Sequence, residues 1–341
     1  MRSPARFMLV VALALPAAAP ACDLCAVYSA VHAQGLSSSA WTLSAATQFT
    51  HFGTLRLDGE RVADPADQRM DSVITQLVAR RAFSPRWSAQ LNVPLITRSF
   101  RRPSAEGIED GRERGLGDIS VLARGEVFRR ETEQTTFILD AHAGMKLPTG
   151  STRRLAEETT EEDEPDAAPP ILALLAADSE IRPFHDGHAH GPASGVHGHD
   201  LTLGTGSTDA HLGANLFFRR ARFLATALLQ YTLRTRGDYD YRFANDLTWE
   251  LAPGAYLILG HTRTLALQLV ASGETKGRDD FAGERADDTG IRSVFLGPRV
   301  SATFGLNLSA ALGADIPVSV DNTVLQLTPD YRLRASVSWS F

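Results

Sequence analysis

The feature that most constrains this chain is the alternation of apolar and polar residues at its C-terminus. Tyr331, Leu333, Ala335, Val337, Trp339 and Phe341 form one row, and Arg332, Arg334, Ser336, Ser338 and Ser340 form the other. Successive side chains of a β-strand point to opposite faces, so a period of two specifies a strand with one apolar and one polar face. The same split recurs at Leu308, Leu312, Ala314 and Ile316 against Asn307, Ser309, Gly313 and Asp315. It returns at Phe223, Ala225, Ala227, Leu229, Tyr231 and Leu233 against Thr226, Gln230, Thr232 and Arg234. Such runs of about 10–12 residues exceed the usual soluble strand of about 5–6 and match a tilted strand crossing a bilayer.

This pattern predicts strands near 41–55, 72–83, 87–98, 117–129, 135–147, 209–219, 222–235, 243–259, 263–274, 290–303, 306–316 and 329–341. Between them, brief connections (84–86, 130–134, 220–221, 260–262, 304–305) alternate with longer ones (59–70, 101–115, 148–208, 235–242, 275–289, 318–328). Short turns on one side and long loops on the other are the habit of transmembrane barrels. Lipid offers no hydrogen bonds to a free strand edge, so strands with an outward apolar row must close on themselves. The fold expected over 41–341 is therefore all-β, a closed antiparallel transmembrane β-barrel of about 12 strands, within about 10–14. The competing soluble reading, a β-sandwich, gives no reason for the alternation of short and long connections. Trp87, Tyr231, Trp249, Tyr256, Tyr331 and Trp339 are expected in the aromatic girdles. Composition agrees, since 43% hydrophobic and 22% charged residues give a mean hydropathy of -0.12, as expected when lipid is met only at every second position. A net charge of -6 without a basic face argues against nucleic acid as a partner.

The N-terminus explains how such a chain would reach a membrane outside the cytoplasm. Arg2 and Arg6, an apolar run from Phe7 to Ala19 and small residues up to Ala21 read as a secretory signal peptide over 1–21. A segment over 22–40 then precedes the barrel on the periplasmic side. It carries Cys22 and Cys25, for which a disulfide, lipidation of Cys22, and metal or redox chemistry all stay open. A c-type haem is excluded, because Ala26 stands where the histidine would be. The final Phe341, two residues after Trp339, reads as the signal that hands a chain to the barrel assembly machinery. The implied location is the bacterial outer membrane, with its lipid as a partner.

Three short stretches fall at strand ends: Gly115-Leu116-Gly117-Asp118-Ile119, Lys146-Leu147-Pro148-Thr149-Gly150 and Leu203-Gly204-Thr205-Gly206-Ser207-Thr208-Asp209. In their order and position they resemble the outer-membrane family named for the meta-pathway of phenol degradation. The resemblance implies a β-barrel that passes small solutes, aromatic compounds among them. On the residues alone, the glycines let the backbone turn at the barrel rim. A phosphate cradle at 204–208 is excluded because no lysine and helix follow.

The inward row carries both signs of charge. Arg124, Glu126, Asp140, His142, Lys146, Asp246, Glu250, Arg299, Arg332 and Arg334 are the expected lumen-lining residues. The long connection 148–208 is acidic in its first half and holds His185, His188, His190, His197 and His199 in its second. Imidazoles in that density suit zinc, copper or nickel. Its apolar stretch Ile171–Ala177 is a candidate for folding inward as a constriction. The leading expectation is a channel or transporter without catalytic residues or cofactor. A metal-binding or uptake barrel using the histidines is the second reading, and a barrel hydrolase using Asp140 and His142 the third.

Overall fold

The computed structural model describes residues 40–104, 107–160, 194–260, 262–305 and 307–341. Cys22, Cys25, His185, His188, His190 and Ile171–Ala177 lie outside the described residues, as does the leader.

Twelve antiparallel strands close into a barrel. They are β1 (Trp41–Leu57), β2 (Arg69–Ala82), β3 (Trp87–Ser104), β4 (Ser120–Glu131), β5 (Thr135–Lys146) and β6 (Asp209–Arg220), followed by β7 (Phe223–Leu233), β8 (Asp246–Leu259), β9 (Arg263–Lys276), β10 (Ile291–Phe304), β11 (Leu308–Asn322) and β12 (Leu325–Ser340). Each pairs with its sequence neighbours, and β12 pairs back onto β1 from Thr42↔Ser340 to Leu57↔Leu325. Closure gives every barrel strand a partner on both sides, which a nonpolar solvent requires. No helix among the described residues is long and apolar enough to cross a membrane.

The two faces divide as the period of two dictates. Leu43, Leu77, Leu91, Val121, Leu251, Leu312, Leu333 and Val337 are exposed on the outside, while Ser44, Gln76, Gln90, Thr226, Thr248 and Arg334 are buried within. Trp87 at 62% and Trp339 at 54% exposure lie outward, and so do Tyr231 and Tyr331. Tyr256 departs from the girdle expectation. It pairs with the buried Ala266 and shares the inner row of Glu250 and Ala252. The start of β1, the end of β12 and the short turns mark one end, here called the short-turn end.

At the opposite end the strands run further than the alternation shows. The segment 318–328, expected as a long loop, is the continuation of β11 and β12 around a tight turn at Thr323-Val324, where Val324 has φ 53°. Asn322 holds that turn by donating to the Val324 carbonyl at 2.8 Å. The segment 101–115 is likewise no loop. β3 pairs with β4 only from Trp87↔Gly125 to Asn92↔Ser120, and beyond it Leu95–Ser104 pairs with a returning strand, Gly107–Leu116. Strands that project past the apolar belt have no reason to alternate in polarity, so they read as loop.

Candidate functional site

The lumen is the site, and two groups of inner residues build it. On β1, β2 and β3 the inner row between Arg80 and Arg98 is uncharged: Ser44, Gln48 and Thr50, then Ser72, Gln76 and Val78, then Ser88, Gln90 and Asn92. Gln48 bonds to Thr50 Oγ1 at 3.3 Å, and Gln90 to the Asn92 Oδ1 at 2.7 Å. On β4 to β12 the inner row carries the charges, and almost all are bound to one another.

Two networks account for most of them. Near the long-loop end, Lys146 lies 2.6 Å from Asp118 and 2.8 Å from Asp209. Arg234, just past β7, extends the chain at 3.1 Å to Asp209 and 2.6 Å to Asp246. Midway along the lumen, Glu250 accepts from Arg299 at 2.6 Å and from Arg334 at 3.0 Å. Arg334 also reaches Asp315 through Nε at 2.6 Å. Arg332 pairs with Glu274 and lies over the Phe295 ring, 3.7 Å from its centroid. Glu250, at 3% exposure, is deeply desolvated. Breaking a buried pair of this kind costs about 3–5 kcal/mol, because one charge is left without a partner.

The short-turn end opens into a vestibule of about 810 Å³, lined by Arg80, Arg124, Glu126, Arg129, Asp140 and Asn215 among others. Arg124 pairs with Asp140, and Glu126, half-buried, holds Arg129 at 2.6 Å. His142 stands deeper on β5. Its Nε2 is 3.4 Å from Gln230 Oε1 and its Nδ1 is 3.2 Å from Asn215 Nδ2. Gly213 makes room for the ring, since a Cβ there would sit 2.5 Å from its Nε2. Amides thus approach both imidazole nitrogens, and Arg124 pairs with Asp140 on the same inner row.

At the long-loop end, residues 194–208 pack against the barrel strands. Val196, Leu201 and Leu203 are buried there. Val196 and Leu201 pack with Leu55, Met70, Phe100 and Leu327, while Leu203 packs with Ala46, Ile74 and Ile96. Arg98 donates to the carbonyls of Asp200 and Thr202, the latter at 2.8 Å. Gln68 accepts from the Gly195 amide at 2.8 Å, and the Leu327 amide donates to Gly195 at 2.8 Å. Residues 194–208 therefore form an inserted segment, docked on β1, β2, β3 and β12.

The three glycine-containing motifs meet beneath this segment, around one carboxylate. Asp118 Oδ1 accepts from the amides of Thr149 at 3.1 Å and Gly150 at 2.9 Å. Its Oδ2 accepts from the Thr205 amide at 2.9 Å as well as from Lys146. Gly150 lets the strands of this knot touch, because a Cβ there would lie 2.6 Å from the Leu203 carbonyl oxygen. Asp118 and Asp209 were visible in the motifs as rim residues, but nothing in their local sequence marked them as partners of Lys146.

His197 and His199 belong to the inserted segment and face Glu158, Asp200 and Asp288 at the mouth. Burial pushes the His199 imidazole down, and the carboxylates of Asp200, Glu158 and Asp288 outweigh it, holding its pKa up at about 10. Burial likewise raises Glu158, but His199 and His197 bring it down to about 2.

With this geometry the chain is similar to the COG4313 outer membrane channel from Pseudomonas putida F1. The TM-score is 0.60 at 14% sequence identity, over 91% of this chain and 98% of that one. The translocator domain of the autotransporter NalP from Neisseria meningitidis is a looser likeness, with a TM-score of 0.43, 12% identity and 93% of each chain covered. At such identities the likeness speaks for the fold alone. No protein-family model matches the sequence, and no curated protein does. The resemblance to the meta-pathway family rests on the three motifs, which the structure gathers around Asp118.

Proposed function

We propose that this protein is a channel of the bacterial outer membrane that passes small solutes, and that the inserted segment 194–208 holds it shut at rest. The observation that carries this reading is the division of the lumen. Charges on β4 to β12 are consumed by one another and form a fixed scaffold. Buried polar atoms without a hydrogen-bond partner include a set on uncharged side chains: Gln48 Oε1, Ser72 Oγ, Gln76 Nε2 and Oε1, and Asn92 Nδ2 on β1 to β3, with Gln230 Nε2 on β7 and Thr248 Oγ1 on β8. Buried amides and hydroxyls are normally satisfied, by water where protein does not serve. This band of groups is the one suited to a hydrated path. Because it is uncharged, it favours neutral solutes over ions. Aromatic compounds fall among these solutes on the strength of the motif resemblance.

The orientation that follows puts the short-turn end and its vestibule in the periplasm and the inserted segment outside. Outer-membrane lipid surrounds the exposed apolar rows, and Phe341 presents the chain to the assembly machinery. Planar-bilayer recording on the purified full chain tests the reading. Wild type is expected to show small, rare openings, and Arg98→Ala, which releases the inserted segment, frequent ones. Uncharged small solutes are expected to swell liposomes carrying the variant. Absence of current and swelling in both proteins overturns it.

A further inference from the structure

We infer that the mouth of the barrel holds a site for a divalent transition-metal ion, made by His197, His199 and Asp288, which fastens the inserted segment to the connection between β9 and β10. One ligand atom from each of these residues lies within 4.8 Å of the others. They come from two separate connections. His197 and His199 flank the start of the short helix Gly198–Leu201, whereas Asp288 sits in the turn Asp287–Thr289.

The details favour a metal over a simple ion pair. The Glu158–His199 pair occupies one imidazole nitrogen, Nδ1, with Oε1 at 3.0 Å. His197 Nδ1 is buried without a hydrogen-bond partner, yet stands 3.6 Å from Asp288 Oδ2 and 3.9 Å from Asp200 Oδ2. The two rings stack with centroids 5.3 Å apart and planes inclined by 17°. With Glu158 on Nδ1 of His199, Nε2 becomes the ligand atom, and Asp200 Oδ1 lies 3.6 Å from it. A carboxylate that orients a histidine ligand through its far nitrogen is the usual outer-shell arrangement of metal centres.

The donor set selects the class of ion. Two imidazoles with a carboxylate suit zinc, copper or nickel, while calcium and magnesium call for oxygen ligands throughout. Metal–nitrogen bonds of about 2.0–2.1 Å require the three donors to draw together by roughly 1 Å, a movement side-chain rotation can supply. Once bound, the ion cross-links the segment that closes the lumen to a turn on another part of the rim and opposes its withdrawal. This does not depend on which solute passes.

The test is calorimetric titration of zinc chloride into the detergent-solubilised full chain. The expected result is one equivalent that survives His185→Ala, His188→Ala and His190→Ala combined. Asp288→Asn and His197→Gln are each expected to weaken it at least ~100-fold, and Glu158→Gln by ~10–100-fold, as for an outer-shell partner. Zinc should also slow proteolysis within 194–208 in wild type and not in Asp288→Asn. Should His197→Gln fail to give a folded barrel, Asp288→Asn, on a rim turn outside the barrel wall, decides alone. Zinc affinity unchanged by Asp288→Asn, binding abolished by the three-histidine variant, or no binding by wild type overturns the inference.

Discussion

The wall formed by β1 to β3 and the wall formed by β4 to β12 face each other across one lumen, yet they meet the problem of buried polarity differently. On the charged wall, Lys146, Arg234, Arg299 and Arg334 are neutralised by Asp118, Asp209, Asp246, Glu250 and Asp315 through bonds that link nearby strands and, from Arg334 to Glu250, reach across several. On the uncharged wall, Gln48 and Gln90 bond to neighbours two residues away, Thr50 and Asn92. The first arrangement is rigid, because moving one charge strands another. The second is permissive, since an amide exchanges a protein partner for water at little net cost. A barrel can thus keep its shape with one side of its lumen and leave the other available to what passes through.

Substitutions on each wall can break or sharpen this contrast. The largest effect is expected from Glu250→Ala, which removes the carboxylate that Arg299 and Arg334 share. Destabilisation of about 3–5 kcal/mol should appear as a lower urea midpoint for loss of the heat-modifiable folded band. Asp118→Asn removes the charge at the centre of the three motifs while keeping its shape. A loss of about 1.5–3 kcal/mol is expected, together with faster proteolysis within 194–208, because Lys146 and the Thr205 amide lose an ionised acceptor. The smallest effect on stability belongs to Gln76→Leu on the uncharged wall. Within about 1 kcal/mol of wild type, it should nonetheless reduce solute flux, which no change of comparable size at the charged wall should do. Equal destabilisation by Glu250→Ala and Gln76→Leu would erase the distinction between the walls.

Most of the fold was legible in the sequence because lipid and lumen impose opposite chemistry on adjacent residues, so every strand within the apolar belt carries its own signature. Where that constraint ends, so does legibility. Gly107–Leu116, charged at five of its ten positions, reads as a loop, yet it pairs with β3 along its whole length. The inward charges were legible too, since Arg332 and Arg334 alternate with Leu333 and Ala335. Their partners were not. The Lys146–Asp118 pair spans 28 residues and the Thr205–Asp118 bond 87, distances that only the closed ring and the inserted segment bring together. The burial of Val196, Leu201 and Leu203 was hidden for a related reason. Apolar residues scattered among Gly, Ser and His show no period, and only the pockets formed by Leu55, Phe100 and Leu327 and, for Leu203, by Ala46, Ile74 and Ile96 give them a face to bury.

The account turns on which wall the solute meets, and cysteine accessibility reads that directly. In a background where Cys22 and Cys25 are replaced by serine, single cysteines are placed at Gln76 on the uncharged wall and at Ser272, which Arg334 approaches at 3.5 Å on the charged one. A water-soluble, membrane-impermeant thiol reagent applied to the Arg98→Ala channel should block current through Gln76→Cys and leave Ser272→Cys unaffected. Block at Ser272→Cys with Gln76→Cys untouched would place the path along the charged wall and contradict the account.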